Sequence, residues 1–214
     1  MRALLIALCV ATLAPDALTQ EAAAPQTLPS VPKEPSWAFD VSLSQYFIPD
    51  GRDYLQPTVT ADRGPLHLEA RYNYEALDTA SLWAGYNMAF GDELSLELTP
   101  MLGAAFGDLY GPTIGYLGTL GWRRLELYSA GEYLFDLEDH DDSYLYSWTQ
   151  LTVSALEHVQ LGLVSQRTRA YESDIDIQRG LLLGLDFEPA SLTLNVFNLD
   201  RSDPIWIVSL SAGW

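Results

Sequence analysis

An all-β chain folded as a transmembrane antiparallel up-and-down β-barrel is predicted from three observations. Side chains from Trp37 onward alternate with a period of two. The connections alternate between tight turns and longer acidic loops. The aromatic residues sort to two levels rather than one. Only the last of these distinguishes a barrel greasy outside from one greasy inside.

The alternation is direct. Trp37, Phe39, Val41 and Leu43 interleave with Ala38, Asp40, Ser42 and Ser44. Leu66, Leu68, Ala70, Tyr72 and Tyr74 interleave with His67, Glu69, Arg71 and Asn73, and Leu94, Leu96 and Leu98 with Ser95, Glu97 and Thr99. Such runs place one apolar and one polar face on each strand. Twelve segments follow, near 37–48, 53–62, 65–75, 79–90, 93–106, 109–121, 124–136, 143–154, 158–170, 175–187, 190–198 and 205–214. A count of ten or fourteen would require a misreading in one of two places. Residues 100–112 are rich in Gly and Pro and predict a break or bulge, and segment 143–154 has no clean apolar parity.

Tight turns fall at 62–65, 91–93, 121–124, 155–158 and 188–191. The other set, at 49–53, 75–78, 107–109, 136–142, 171–174 and 199–204, is mostly longer and acidic. A meander with turns at one end and loops at the other has this rhythm, and an even strand number puts both termini on the turn side. With each apolar parity taken as outward, Trp37, Phe39, Phe90, Trp122, Phe187 and Trp214 fall at the lower rim. Tyr72, Tyr74, Tyr110, Tyr133 and Phe135 fall at the upper rim, with mainly Leu, Val, Ala and Gly between. Rings at both edges of an aliphatic band match the interfacial preference of aromatics. A soluble barrel or sandwich has no reason to sort them.

Upstream, residues 1–19 read as an export signal, with Arg2 before the apolar run Ala3–Ala14, too short for a helical span. Cys9, the only cysteine, lies inside that run, so no internal disulfide framework or Cys-based zinc site is available. Residues 20–35, with four prolines, read as a flexible leader, and 36–214 as the barrel. The predicted location is the outer membrane, with both termini periplasmic.

The terminal strand Ile205-Trp-Ile-Val-Ser-Leu-Ser-Ala-Gly-Trp214 ends on an aromatic, with Trp206, Val208, Leu210 and Ala212 on its parity. This resembles the C-terminal signature of Gram-negative outer-membrane β-barrel proteins. The resemblance is to a class. It implies that the barrel-assembly machinery reads this strand, with Trp206 and Trp214 in the signal and Trp37 and Trp122 in the girdles, and that it closes the barrel against the first.

The chain carries 29 acidic and 11 basic residues, net −18, which excludes a nucleic-acid partner. Parity sends Asp40, His67, Glu69, Arg71, Glu97, Glu126, Glu132, Gln160, Gln166, Gln178 and Asp186 into the lumen, with Trp83, Tyr128 and Phe197 narrowing it. Fixed negative charge on a low-dielectric wall favours cations. The expectation is a narrow porin-like channel for small cationic or neutral polar solutes. The competing reading is an occluded structural barrel in which Arg71 pairs with Glu69 or a facing carboxylate. Twelve strands lie between about 8, which side chains fill, and about 16–18, which leave a water channel.

Three further features are weighed. Asp136, Glu138, Asp139, Asp141 and Asp142 could ligate divalent cations, but they lack EF-hand spacing, and a solvated rim is the plainer reading. Arg167, Arg169 and Arg179 have lipid-facing parity at the loop end, where arginine could fork onto lipopolysaccharide phosphates or pair with Glu172, Asp174 or Asp176. His67 beside Glu69 is the only His–carboxylate pair within a strand, and no serine sits in a nucleophile setting. A lipid-modifying enzyme is therefore the lesser alternative, and no cofactor is implied. The loops are short for an adhesin.

Overall fold

The computed structural model describes residues 35–49, 51–170 and 176–214. The predicted signal, nearly all of the leader, and the loop acids Asp50, Glu172 and Asp174 lie outside these residues. The strands are β1 (Ala38–Phe47), β2 (Tyr54–Arg63), β3 (Leu66–Tyr72), β4 (Ala80–Tyr86), β5 (Met88–Phe90), β6 (Leu94–Phe106) and β7 (Gly111–Trp122). They continue with β8 (Leu125–Leu134), β9 (Tyr144–Leu156), β10 (Val159–Ala170), β11 (Asp176–Phe187), β12 (Ala190–Phe197) and β13 (Ile205–Gly213).

Every neighbour pair is antiparallel. The order runs β4-β3-β2-β1-β13-β12-β11-β10-β9-β8-β7-β6, and β4 and β5 both pair with β6, so the sheet closes on itself. β4 and β5 are one span. Gly85 faces Met101 and Met88 faces Leu98, the same register, which puts Tyr86 opposite Pro100. Proline offers no N–H to the ladder. Asn87 compensates, donating its backbone N–H to Pro65 O at 2.7 Å while its side chain accepts from Thr99 Oγ1 at 2.7 Å. Twelve spans result. First and last strands close in the Leu43–Leu210 register, and Phe39 and Trp214 exchange both backbone hydrogen bonds.

The two faces are chemically inverted relative to a water-soluble barrel. On β3, Leu66 and Leu68 are exposed outside while His67, Glu69 and Arg71 are buried inside. Leu82, Leu102 and Leu163 are each 60% exposed or more. A continuous apolar exterior over a closed sheet is stable only against hydrocarbon, which is the arrangement of a transmembrane barrel. Lower-rim rings Trp37, Phe39 and Trp214 stack in sequence at 6.2 and 6.0 Å on the outside. Trp122, Phe90 and Phe187 are also exposed, as are Tyr72, Tyr110 and Phe135 at the upper rim and Trp206 on the outer face of β13.

Three local readings change. Tyr74 does not join the upper girdle. Asn73 takes φ 57°, its backbone N–H bonds Thr79 O, and its side chain accepts from Asp78 N–H at 2.8 Å. That turn ends the alternation after Tyr72, and Tyr74 swings into the barrel. The Gly- and Pro-rich stretch 100–112 holds no break inside β6, which runs unbroken to Phe106; the chain turns at Gly107, φ 137°. β9 alternates regularly, with Tyr144, Tyr146, Trp148 and Gln150 inward and Leu145, Ser147, Thr149 and Leu151 outward. Its rings face the lumen while Ser147 and Thr149 face out, which erases the apolar parity.

Candidate functional site

The lumen divides by height. Nearer the tight-turn end the inner positions carry small polar and acidic residues: Asp40 on β1, Asp62 on β2, His67 on β3, Glu97 on β6, Glu126 on β8 and Asp186 on β11. His67 is fully buried there, Nδ1 2.8 Å from Asp62 Oδ1 and Nε2 3.3 Å from Glu69 Oε2. Both ring nitrogens thus face carboxylates, and neither meets a serine.

Nearer the loop end the lumen is constricted around Arg71. Its guanidinium lies 4.2 Å from the centre of the Tyr74 ring and 4.7 Å from that of Trp83. Nη1 donates to Glu132 Oε2 at 2.7 Å and Nη2 to Glu69 Oε2 at 3.2 Å, while Glu75 Oε1 stands 3.7 Å from Nη1. Glu132 also accepts from the Tyr144 hydroxyl at 2.9 Å. Glu75, which the alternation assigns to an acidic loop, is instead carried inward with Tyr74 by the Asn73 turn. Its side chain is fully buried and accepts from Ser81 Oγ at 2.5 Å and Trp83 Nε1 at 3.3 Å. Tyr74 meets Tyr146 edge-on at 5.8 Å, and Trp148 meets Phe197 edge-on at 5.5 Å. Gln166 on β10 and Gln178 on β11 bond each other at 2.7 Å, and Gln160 is buried on β10. A cavity of about 220 Å³ remains beside this cluster.

Trp83 is held against the wall by an absence of side chain. A Cβ at Gly103 would lie 2.6 Å from Trp83 Cδ2, 2.7 Å from Leu82 O and 2.7 Å from Thr113 Oγ1. Gly103→Val is therefore expected to drive the indole toward the bore and to lower stability by about 1–3 kcal/mol through overpacking. Denaturant unfolding with Trp emission checks it; an unchanged midpoint and spectrum would refute it.

At the loop end, Arg167 and Arg179 are exposed on the outer face. Arg167 lies opposite Ser147 and Ile177, and Arg179 opposite Ser165. Arg169 is on β10 opposite Leu145, its side chain outside what is described. Asp136 accepts from Glu138 N–H and Asp139 N–H with one oxygen, both at 2.8 Å, and from Tyr110 N–H with the other at 2.9 Å. Desolvation works to raise its pKa, but the backbone donors of Asp139, Tyr110 and Glu138 outweigh it and hold the carboxyl below the usual range. Asp139 caps the short 3-10 turn His140–Asp142 by accepting from Asp141 N–H. Asp136 and Asp139 thus organise the loop backbone, and among the described residues no group of three acidic, His or Cys side chains is placed to hold an ion.

No protein-family model matches the sequence, and no curated protein matches it. The fold does have solved counterparts. The KdgM porin superposes with TM-score 0.59 at 13% identity, over 81% of this chain and 98% of that one. A second structure, the KdgM porin in complex with disordered oligogalacturonate, gives 0.55 at 13% identity over 82% and 98%. The outer membrane protein opdK from Pseudomonas aeruginosa gives 0.45 at 10% identity, over 75% of this chain and 57% of that one. The two KdgM superpositions show that the chain has the closed antiparallel barrel fold of a porin.

Proposed function

We propose that this protein is an outer-membrane channel for small cationic and neutral polar solutes, exported by its N-terminal signal and oriented with both termini in the periplasm. One observation carries the selectivity. The interior holds Asp40, Asp62, Glu69, Glu75, Glu97, Glu126, Glu132 and Asp186. Among the described side chains Arg71 is the only Arg or Lys there. That Arg71 is itself surrounded by three of those carboxylates. Fixed negative charge inside a low-dielectric wall concentrates cations and opposes anions. The fold likeness to KdgM therefore does not extend to a shared cargo in this reading, since oligogalacturonate is a polyanion.

The test is the reversal potential of the refolded protein in a planar bilayer under a KCl gradient. Cation preference is expected, with the ratio falling toward unity in a Glu97→Gln, Glu126→Gln, Asp186→Asn triple variant. Anion preference would overturn the reading. The filling of the upper lumen by Tyr74, Arg71 and Trp83 favours a second reading, a closed structural barrel, and protein that inserts but gives no current steps would support it. Catalysis by His67 has no support in a ring enclosed by Asp62 and Glu69. Arg167, Arg169 and Arg179 are proposed to meet lipopolysaccharide phosphates, and the strand ending at Trp214 to engage the barrel-assembly machinery.

A further inference from the structure

The cavity beside Arg71 has two unlike walls. On β13, β1 and β2 the inward side chains are mostly small and hydroxylated, with Tyr46, Gln56 and Ile207 completing that wall. Ser209, Ser44 and Gln56 share one row of the sheet, Ser42 and Thr58 the next. In the strand order these three strands stand across the barrel from β7, β8 and β9. From the far side come Leu117, Tyr128, Tyr146 and Trp148, and residues of both walls line the same cavity of about 220 Å³. Its charged lining residues, Glu69 and Arg71, are paired with each other. Asn195 of β12 also lines it, is 3% exposed, and its Oδ1 has no hydrogen-bond partner.

Each feature restricts the ligand. Hydroxyls both donate and accept, so the small-residue wall suits a partner that does the same. Aromatic faces carry negative charge density and attract weakly positive C–H groups. The unpartnered Asn195 oxygen calls for a donor. Arg71, the one cation that lines the cavity, is already held by Glu69 and Glu132, so a carboxylate finds no free counter-charge there.

We propose that this cavity binds a single neutral sugar ring. Its hydroxyl edge lies against Ser42, Ser44, Thr58 and Ser209, a hydroxyl donates to Asn195 Oδ1, and its C–H face lies on the Trp148 and Tyr128 side. The site rests on the channel reading for its purpose but not for its detection, because binding can be read without conduction.

Full-length protein folded in detergent micelles is titrated with glucose while Trp emission is followed, with galacturonate and glucosamine as charged controls. A saturable change with glucose is expected, weakened about tenfold in Asn195→Leu, which leaves the sugar hydroxyl without its acceptor. Thr58→Val, the same shape without the hydroxyl, is expected to weaken binding severalfold and serves if Asn195→Leu fails to fold. No saturation with glucose, equal binding of galacturonate, or unaltered affinity in a folded variant overturns the site. A barrel that conducts cations but ignores glucose loses this inference alone. One that binds glucose yet stays silent in bilayers loses only the channel.

Discussion

Arg71→Ala is expected to raise single-channel conductance severalfold and to steepen cation preference. Two effects add. The guanidinium occupies the space between the Tyr74 and Trp83 rings, so its removal empties the constriction. It also removes the only Arg or Lys among the described interior side chains, leaving Glu69, Glu75 and Glu132 facing one another. Breaking one side of a buried ion network costs about 3–5 kcal/mol because the remaining charges keep their desolvation penalty. The Tyr74–Glu75 segment, held inward by those contacts, is the element free to yield. Arg71→Lys is expected to fall between, keeping the charge but losing the planar fork and the ring stacking. The preference should be strongest at low ionic strength, where screening is weakest. Conductance and reversal potential in planar bilayers decide it. A folded Arg71→Ala barrel with conductance equal to or below the wild type would show that this cluster is not the constriction.

How much of this was legible from sequence depends on what each signal reports. A period of two is a local property, so strand number, turn rhythm and inward parity at Asp40, Glu97 or Glu132 could be read without a structure. Contacts across the barrel could not. Arg71 and Glu132 sit on β3 and β8, and nothing in either segment names the other. The position of Glu75 was hidden for a different reason. One residue, Asn73, adopts a left-handed turn that Asn tolerates better than most, and Tyr74 and Glu75 change side with it. β9 shows no clean parity because rings fill a narrow lumen as readily as they line lipid, so inward Tyr144, Tyr146 and Trp148 offset outward Leu145 and Leu151. Pro100 and the glycines near it suggested a break. The closed sheet instead absorbs the proline by lending Asn87 to a neighbouring strand, and uses Gly103 to seat Trp83.

The direction of the greasy face is the claim with the largest stability consequence, and Leu163→Arg tests it. Leu163 lies mid-strand on the outer face of β10, between Leu151 and Leu181 in the ladder, and is 60% exposed. In water, an exposed leucine replaced by arginine changes stability by little. In a bilayer the same side chain would sit near the midplane, where arginine costs about 2–4 kcal/mol. The expected result is that Leu163→Arg lowers the unfolding free energy from lipid vesicles by that amount and reduces the assembled fraction. Thr193→Arg on the inner face of β12 is expected to assemble and to shift the reversal potential toward anions instead. The two substitutions add the same charge to the same barrel and differ only in which side of the sheet receives it. Equal and small stability changes from both would mean that hydrocarbon does not surround Leu163, and the lipid-facing exterior would have to be abandoned along with the channel.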